Sequence, residues 1–139
     1  MADERGSMMR LSLFVVLLVV PAALADDVEP KQKKTIAREI TVKGLPMVRG
    51  PFEEVKIAKK EDLEKTFGKD LSETILKEVD LKREFLVFFR WSGSGQDKLE
   101  MSEDKGAVTF THTRGRTKDL QTHAKLFALP KKTEYKLAR

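Results

Sequence analysis

A short, continuous apolar run limits the folds open to this chain more than any other feature. The run is Phe85–Phe89 (FLVFF), and it lies between Arg83 and Arg90. A strand with one face in solvent would alternate apolar and polar residues, whereas a continuous run predicts a strand buried on both faces. The chain therefore needs an apolar layer on each side of its sheet.

Alternating apolar and polar residues predict further strands on both sides of this run. The segments 98–103 and 107–113 flank the turn residues Asp104, Lys105 and Gly106, which predicts a hairpin. A second hairpin is expected where Pro130, Lys131 and Lys132 separate two strand-like segments. The remaining predicted strands are 35–42, 54–57, 123–129 and 133–137.

One segment has the spacing of an amphipathic helix. Leu63 and Phe67 are four residues apart, which predicts a helix over 60–67 that ends at Gly68. The segment 71–78 is either a further helical turn or extended. Together these patterns predict an α+β fold at residues 35–139. We expect a single small domain with one antiparallel sheet of about six or seven strands and one main helix packed on one face.

The N-terminal region has the pattern of a secretory signal peptide. The apolar segment 11–20 is too short to span a bilayer, and Ala23 and Ala25 form a small-x-small cleavage site. We expect a signal peptide at 1–25, a flexible leader at 26–34 and a secreted or periplasmic location. A buried core helix or an uncleaved anchor is the alternative, and initiation at Met8 would remove two acidic residues that signal peptides usually lack.

The absence of cysteine removes several classes of chemistry. Disulfides, thiolate zinc sites and cysteine nucleophiles are excluded, so the domain depends on hydrophobic burial. The chain carries 27 Lys and Arg against 22 Asp and Glu, a net charge of +5. Nucleic acid is not expected as a partner, because the basic residues are dispersed and no aromatic side chain lies among them.

Two loop segments are candidates for a binding site. Residues 92–97 match neither a phosphate-binding loop nor a nucleophile elbow, so they form either a plain connection or a backbone-lined concavity for an anion. Arg114, Arg116 and Lys118 surround Gly115, which we expect to adopt positive φ. Such a cluster binds an anion or is simply a solvated loop.

The two histidines provide the only enzymatic alternative. Asp97 paired with His123 or His112 would suit a small hydrolase-like enzyme. His112 shares the parity of the apolar residues before it, so we expect a partly buried imidazole that is hydrogen-bonded to its neighbours. No ligand spacing predicts a metal, and no cofactor is expected.

A simple antiparallel meander would place both loops at one edge of the sheet. Asp97 and Asp119 would then form hydrogen-bonded pairs with Arg114, Arg116 and Lys118. The sequence therefore predicts an exported, non-enzymatic binding or accessory module. Its partner is an envelope protein or an anionic envelope component, and its membrane contact is limited to the signal peptide. The predicted binding residues are Ser92, Ser94, Gln96, Asp97, Lys98, Arg114, Arg116, Lys118, Asp119 and His123.

Two strings carry a resemblance to known proteins. WSGSGQDKL at 91–99 and RGRTKDLQTHA at 114–124 resemble small uncharacterised secreted proteins of planctomycete-like bacteria, over roughly residues 52–137. That resemblance implies that the chain belongs with these proteins, but it implies no particular activity. More distantly, the order of helix, Asp80, apolar strand and glycine-rich loop is similar to the C-terminal domain of PrcB-type protease-complex subunits. That family usually has a Gly-Gly-aromatic loop, from which the segment 93–97 departs.

Overall fold

The computed structural model describes residues 36–139. The predicted signal peptide (1–25) and leader (26–34) lie outside the described residues. The helices are α1 (Lys60–Phe67) and α2 (Lys69–Leu76). The strands are β1 (Arg38–Glu39), β2 (Glu53–Ile57), β3 (Glu84–Ser94), β4 (Lys98–Asp104), β5 (Ala107–Thr113), β6 (Leu120–Pro130) and β7 (Tyr135–Ala138). Neither helix is long and apolar enough to cross a membrane within this part of the chain.

The strands form two sheets, which confirms the α+β class but corrects the expectation of one sheet. The first has the order β1-β6-β3-β2 and is antiparallel throughout. The second has the order β4-β5-β7, in which β4 and β5 are antiparallel and β5 and β7 are parallel. The domain is single and small, as predicted. Two helices of equal length replace the one main helix that was expected.

Two of the predicted strand arrangements are wrong. The last strand does not form a hairpin with β6, because Tyr135 pairs with Val108 of β5 in the second sheet. The Tyr135 ring lies 5.9 Å from that of Phe110, so pairing with β5 places this ring against the apolar layer between the sheets. The predicted strand 35–42 is reduced to β1, and only a hydrogen bond from the Ile40 N–H to the Leu126 carbonyl (2.8 Å) continues the pairing.

Strand β3 is buried on both faces, as its apolar run predicts. Phe85, Val87 and Phe89 contact the apolar layer between the two sheets, together with Trp91 and Phe110. Leu86 and Phe88 point to the opposite side, where they pack with Leu63 of α1 and Ile75 of α2. All five residues of the run are at most 3% exposed.

The helices form the layer on the far side of the first sheet. Helix α1 ends where predicted, at Gly68, whose φ of 79° lies in the region that favours glycine. Helix α2 begins immediately afterwards, so the segment that the sequence leaves open is helical. Phe67 packs edge-on against Phe88, with ring centroids 4.8 Å apart.

The two sheets are built largely from one long hairpin that is bent. The turn residues Lys105 and Gly106 both have positive φ, as a two-residue hairpin turn requires. The hairpin pairs Lys98 with Thr113 in the second sheet and Ser94 with Leu120 in the first. Between these pairs, the segment 95–97 opposes the longer segment 114–119. Extra residues on one strand bend a hairpin and let it pass from one sheet to another.

This bend brings the two candidate loops together, although by a different route from the one predicted. The meander is wrong, because β3 pairs with β6 and not with β4. The two loops nevertheless lie together as expected, since both connections between the sheets are at the bend of the hairpin. Residues 92–97 and 114–119 are called the loop pair below.

Candidate functional site

The carboxylate of Asp97 joins the two halves of the loop pair. Its side chain is 4% exposed. One oxygen, Oδ1, accepts the backbone N–H of Gly115 at 2.7 Å, and the other, Oδ2, accepts the indole N–H of Trp91 at 3.2 Å. A buried carboxylate that accepts two N–H groups is strongly held, so Asp97 fixes the loop from 114 onward against the end of β3.

Ser94 and Asp119 complete the hydrogen bonds between the loops. The hydroxyl oxygen of Ser94 accepts the N–H groups of Gln96 (3.1 Å) and Thr117 (3.2 Å), and it also hydrogen-bonds the Thr117 hydroxyl. Asp119 accepts the Gly95 N–H at 3.3 Å. Hydrogen bonds from Thr117 and then from Gly95 lower the pKa of Asp119. These backbone N–H groups have acceptors within the chain, so they are not available to cradle an anion.

Glycines in the loop pair permit close approach of the backbones. The expected positive φ of Gly115 is not observed, because the positive-φ glycines among residues 36–139 are Gly44, Gly68 and Gly106. A Cβ at Gly115 would instead lie 2.6 Å from the carbonyl carbon of Gln96, which is too close for any side chain. The requirement for glycine here therefore comes from packing.

The cations of the loop pair extend into solvent. Arg114, Arg116 and Lys118 are all exposed, as is Lys98, which directly follows the first segment of the loop pair. We find no ion pair from these cations to Asp97 or Asp119 within the described part of the chain. The predicted pairing of acids with cations is wrong, because uncharged N–H groups occupy the carboxylate oxygens. These cations therefore have no ion-pair partner in the loop pair among residues 36–139, and the loop pair keeps a net positive charge because its three cations outnumber its two carboxylates.

His112 is buried in an aromatic environment and lacks the predicted hydrogen bonds. Its side chain is 7% exposed, and its ring lies 4.6 Å from that of Phe52 and 5.2 Å from that of Trp91. Among residues 36–139, Nε2 has no hydrogen-bond partner, and it lies 3.7 Å from Oδ2 of Asp97, beyond hydrogen-bonding distance. Burial, opposed by Asp97 and assisted by the charges of Arg114 and Arg139, lowers the pKa of His112, which favours the neutral imidazole.

His123 belongs to the framework of the site. Its ring stacks on Trp91 with centroids 4.8 Å apart and an interplanar angle of 15°. Its Nε2 hydrogen-bonds the carbonyl oxygen of Ser94 at 2.9 Å. Among residues 36–139, no hydroxyl group hydrogen-bonds either imidazole, so the arrangement lacks the nucleophile that a relay with Asp97 would activate.

Two clefts flank the loop pair and share Trp91 and Asp97 as lining residues. The first, of about 450 Å³, also contains Phe52, Ser92, His112, Arg114, Thr117 and Arg139, and is called the arginine cleft. The second, of about 420 Å³, also contains Met47, Lys98, Thr122 and His123. No group of three or more His, Asp and Glu side chains is arranged to hold a metal ion in the described range.

The structure unites most of the predicted residues and adds several that the sequence did not single out. Ser92 accepts a hydrogen bond from the Gly50 N–H (3.1 Å), and Gln96 contributes through its backbone. The additional residues are Phe52, Trp91, Thr117 and Arg139. Trp91 and Thr117 adjoin predicted residues in the sequence, so their positions could have indicated that they belong to the site. Phe52 and Arg139 come from distant segments, and no sequence pattern places them here.

Comparison of the chain with protein-family models, with curated proteins and with solved structures found no match. The resemblances based on residues 91–99 and 114–124 therefore stay predictions. The geometry of the loop pair and its clefts is the basis for the functional argument.

Proposed function

We propose that this protein is an exported, non-enzymatic binding module whose loop pair recognises an anionic envelope component. The observation that carries this proposal is the set of cations on the loop pair that form no ion pair within residues 36–139. Three cations extend from the loop pair and outnumber its two carboxylates, which accept hydrogen bonds from uncharged donors. Such a surface attracts anions and increases their rate of encounter.

The internal hydrogen bonds of the loop pair support recognition by a preformed surface. Asp97, Ser94 and Asp119 each connect one loop to the other. A surface that is ordered before its partner arrives loses little conformational entropy on binding. The bend of the hairpin therefore presents the cations in a defined arrangement.

A small hydrolase-like enzyme is the alternative. The approach of Asp97 to His112 favours it, since the two side chains are buried side by side. The alternative has less support, because both oxygens of Asp97 already accept N–H groups and no hydroxyl adjoins the imidazoles within residues 36–139. A reaction would need a nucleophile from the substrate or from water.

Affinity capture from an envelope extract at low and high salt tests the binding proposal. The informative variant is Arg116→Ala with Lys118→Ala, which removes two exposed cations from the loop pair. Its matched control is Lys131→Ala with Lys132→Ala, since these exposed lysines follow β6 at the opposite end of the sheet. We expect the partner to be lost at high salt and with the first variant, while the control retains it. Equal capture by both variants would contradict the proposal.

Export has a separate test. The 1–25 pattern is the basis for proposing it, and cleavage after Ala25 would remove those residues. We expect the intact mass of protein recovered from the producing cell's exterior or envelope to lack residues 1–25. A full-length mass would contradict cleavage after Ala25, and protein confined to the cytosol would contradict export; neither result affects the binding proposal.

A further inference from the structure

The arginine cleft has a concentration of positive charge. Arg114 and Arg139 belong to its lining, and the guanidinium carbon of Arg139 lies 5.2 Å from the centroid of the Phe52 ring. Neither arginine forms an ion pair within the described residues. Asp97 is the acid in this lining, and both of its oxygens are occupied. The cleft therefore favours an anion.

Ser92 provides a hydroxyl donor for which no acceptor is found among residues 36–139. Its oxygen accepts the N–H of Gly50 at 3.1 Å. A hydroxyl group both donates and accepts, so this bond leaves the proton of Ser92 free to donate. A guanidinium group beside a hydroxyl donor is a suitable set of partners for an oxyanion.

The walls of the arginine cleft restrict the shape of its ligand. A volume of about 450 Å³ lies within the range of small-molecule sites. The Trp91 ring is stacked between Phe52, at 5.3 Å, and His123, at 4.8 Å. Because its neighbours already cover the ring, a flat aromatic ligand cannot stack on it. Stacking of a ligand on Trp91, which is 2% exposed, is therefore excluded, and a compact group suits the cleft better.

We propose that the arginine cleft binds a compact oxyanion, a carboxylate or a phosphate, through the guanidinium groups of Arg114 and Arg139 and the hydroxyl of Ser92. This inference rests on the proposed function and names the chemical group that the loop pair recognises. The exposed cations Arg116 and Lys118 attract the partner, and the cleft holds its terminal anionic group.

His112 reports on occupancy of the cleft. Besides burial, the charges of Arg114 and Arg139 lower the pKa of His112, and Asp97 raises it. A bound anion would offset the two arginines and raise the pKa of the imidazole. The imidazolium would then be able to pair with Asp97, whose Oδ2 lies 3.7 Å from the Nε2 atom that has no partner.

The test is an NMR titration of the histidine ring signals with inorganic phosphate and, separately, with acetate at equal ionic strength. The chain has two histidines, so His123→Gln assigns the His112 signals by elimination. We expect a saturable shift of His112 and a rise in its pKa toward the ordinary value of 6.5. The probe that binds more tightly distinguishes a phosphate group from a carboxylate.

Variants locate the binding. Arg114→Ala and Arg139→Ala should each weaken anion binding by about tenfold or more, because each removes a charge-assisted hydrogen bond. Arg83→Ala is the matched control, since Arg83 is an exposed arginine that lies outside both the loop pair and the cleft lining, and it should leave the affinity unchanged. Thermal unfolding of each variant should be unaltered, because the arginines are exposed.

The outcomes separate this inference from the proposed function. If neither probe shifts His112 saturably, or if Arg83→Ala weakens binding as much as Arg114→Ala, the cleft is not the site. Capture that still depends on Arg116 and Lys118 would then leave the proposed function standing. Saturable binding in the cleft with capture unaffected by the loop cations would overturn the proposed function instead.

Discussion

The two halves of β3 are held in the fold by different means. In the first half, Phe85–Phe89, apolar side chains on both faces are fully removed from solvent. In the second half, Trp91–Ser94, the strand is fixed by hydrogen bonds and by glycines that permit close approach. The first half is sensitive to side-chain volume. The second is sensitive to the loss of a donor, an acceptor or the space left by a missing Cβ, and this is the half that carries the candidate site.

Truncation of a side chain in the first half of β3 should have the largest effect on stability. Phe88 is fully buried and packs against Phe67 beneath the helices. Phe88→Ala should lower the free energy of unfolding by about 3 to 5 kcal/mol, because it leaves a cavity in addition to the lost transfer energy. Urea unfolding measures the change, and a loss under about 1 kcal/mol would show that volume is not what holds this half.

Removal of the buried charge of Asp97, which holds the second half of β3 through Trp91, should have the next largest effect on stability. Asp97→Asn keeps the volume but directs an NH₂ group at either Trp91 or Gly115, so one buried N–H loses its acceptor. We expect a loss of about 1.5 to 3 kcal/mol in urea unfolding. Asp119→Asn is the control, because Asp119 is exposed and water can replace it, so its effect should be clearly smaller. Equal losses would mean that burial does not distinguish the two carboxylates.

A methyl group in the loop pair tests the requirement for close approach. Gly115→Ala should cost about 1 to 3 kcal/mol, since the new Cβ would meet the backbone of Gln96. Gly95→Ala places its Cβ against the side chains of Asp119 and Gln121, which are exposed and able to rotate away. Thermal unfolding should therefore show a smaller loss for Gly95→Ala, and the reverse order would contradict the packing argument.

The smallest effect should appear as a dependence of stability on pH. Burial, opposed by Asp97 and assisted by Arg114 and Arg139, lowers the pKa of His112 below 6.5 in the folded state. The unfolded chain then binds more protons as the pH falls through 6.5, so stability should decrease below that pH. His112→Phe suits the surrounding rings of Phe52 and Trp91 and should flatten the profile between pH 5 and 7. An unchanged slope would show that His112 is not responsible.

The sequence predicts the helices and strands of this fold better than it predicts which strands pair with each other. The buried run at Phe85–Phe89, the hairpin turning at Lys105 and Gly106, and the helix ending at Gly68 are all confirmed. Each depends on local periodicity or on a glycine with positive φ, which neighbouring residues determine. The segment 133–137 has the same alternation, but alternation indicates only which face is buried. It cannot show that Tyr135 pairs with Val108.

The candidate site is predictable to a similar extent. The unusual composition of 92–97 and 114–119 indicates the loops, and Asp97 is correctly placed between them. The partners of Asp97 are not predictable, because a charged residue near arginines is expected to form an ion pair. The unequal segments at the bend place the Gly115 N–H, and not a guanidinium group, against the carboxylate of Asp97.

The bent hairpin also has a consequence for the speed of folding. Strand β3 must wait for β6, since Glu84 pairs with Pro130, and β1 must wait still longer, since Arg38 pairs with Ala128. Contacts between residues so distant along the chain make the search for the native state slow, roughly milliseconds to seconds for domains of this kind. Before β6 emerges from the ribosome, the Phe85–Phe89 segment has no strand on one of its edges, and an unpaired apolar edge of this kind is prone to pair with other chains.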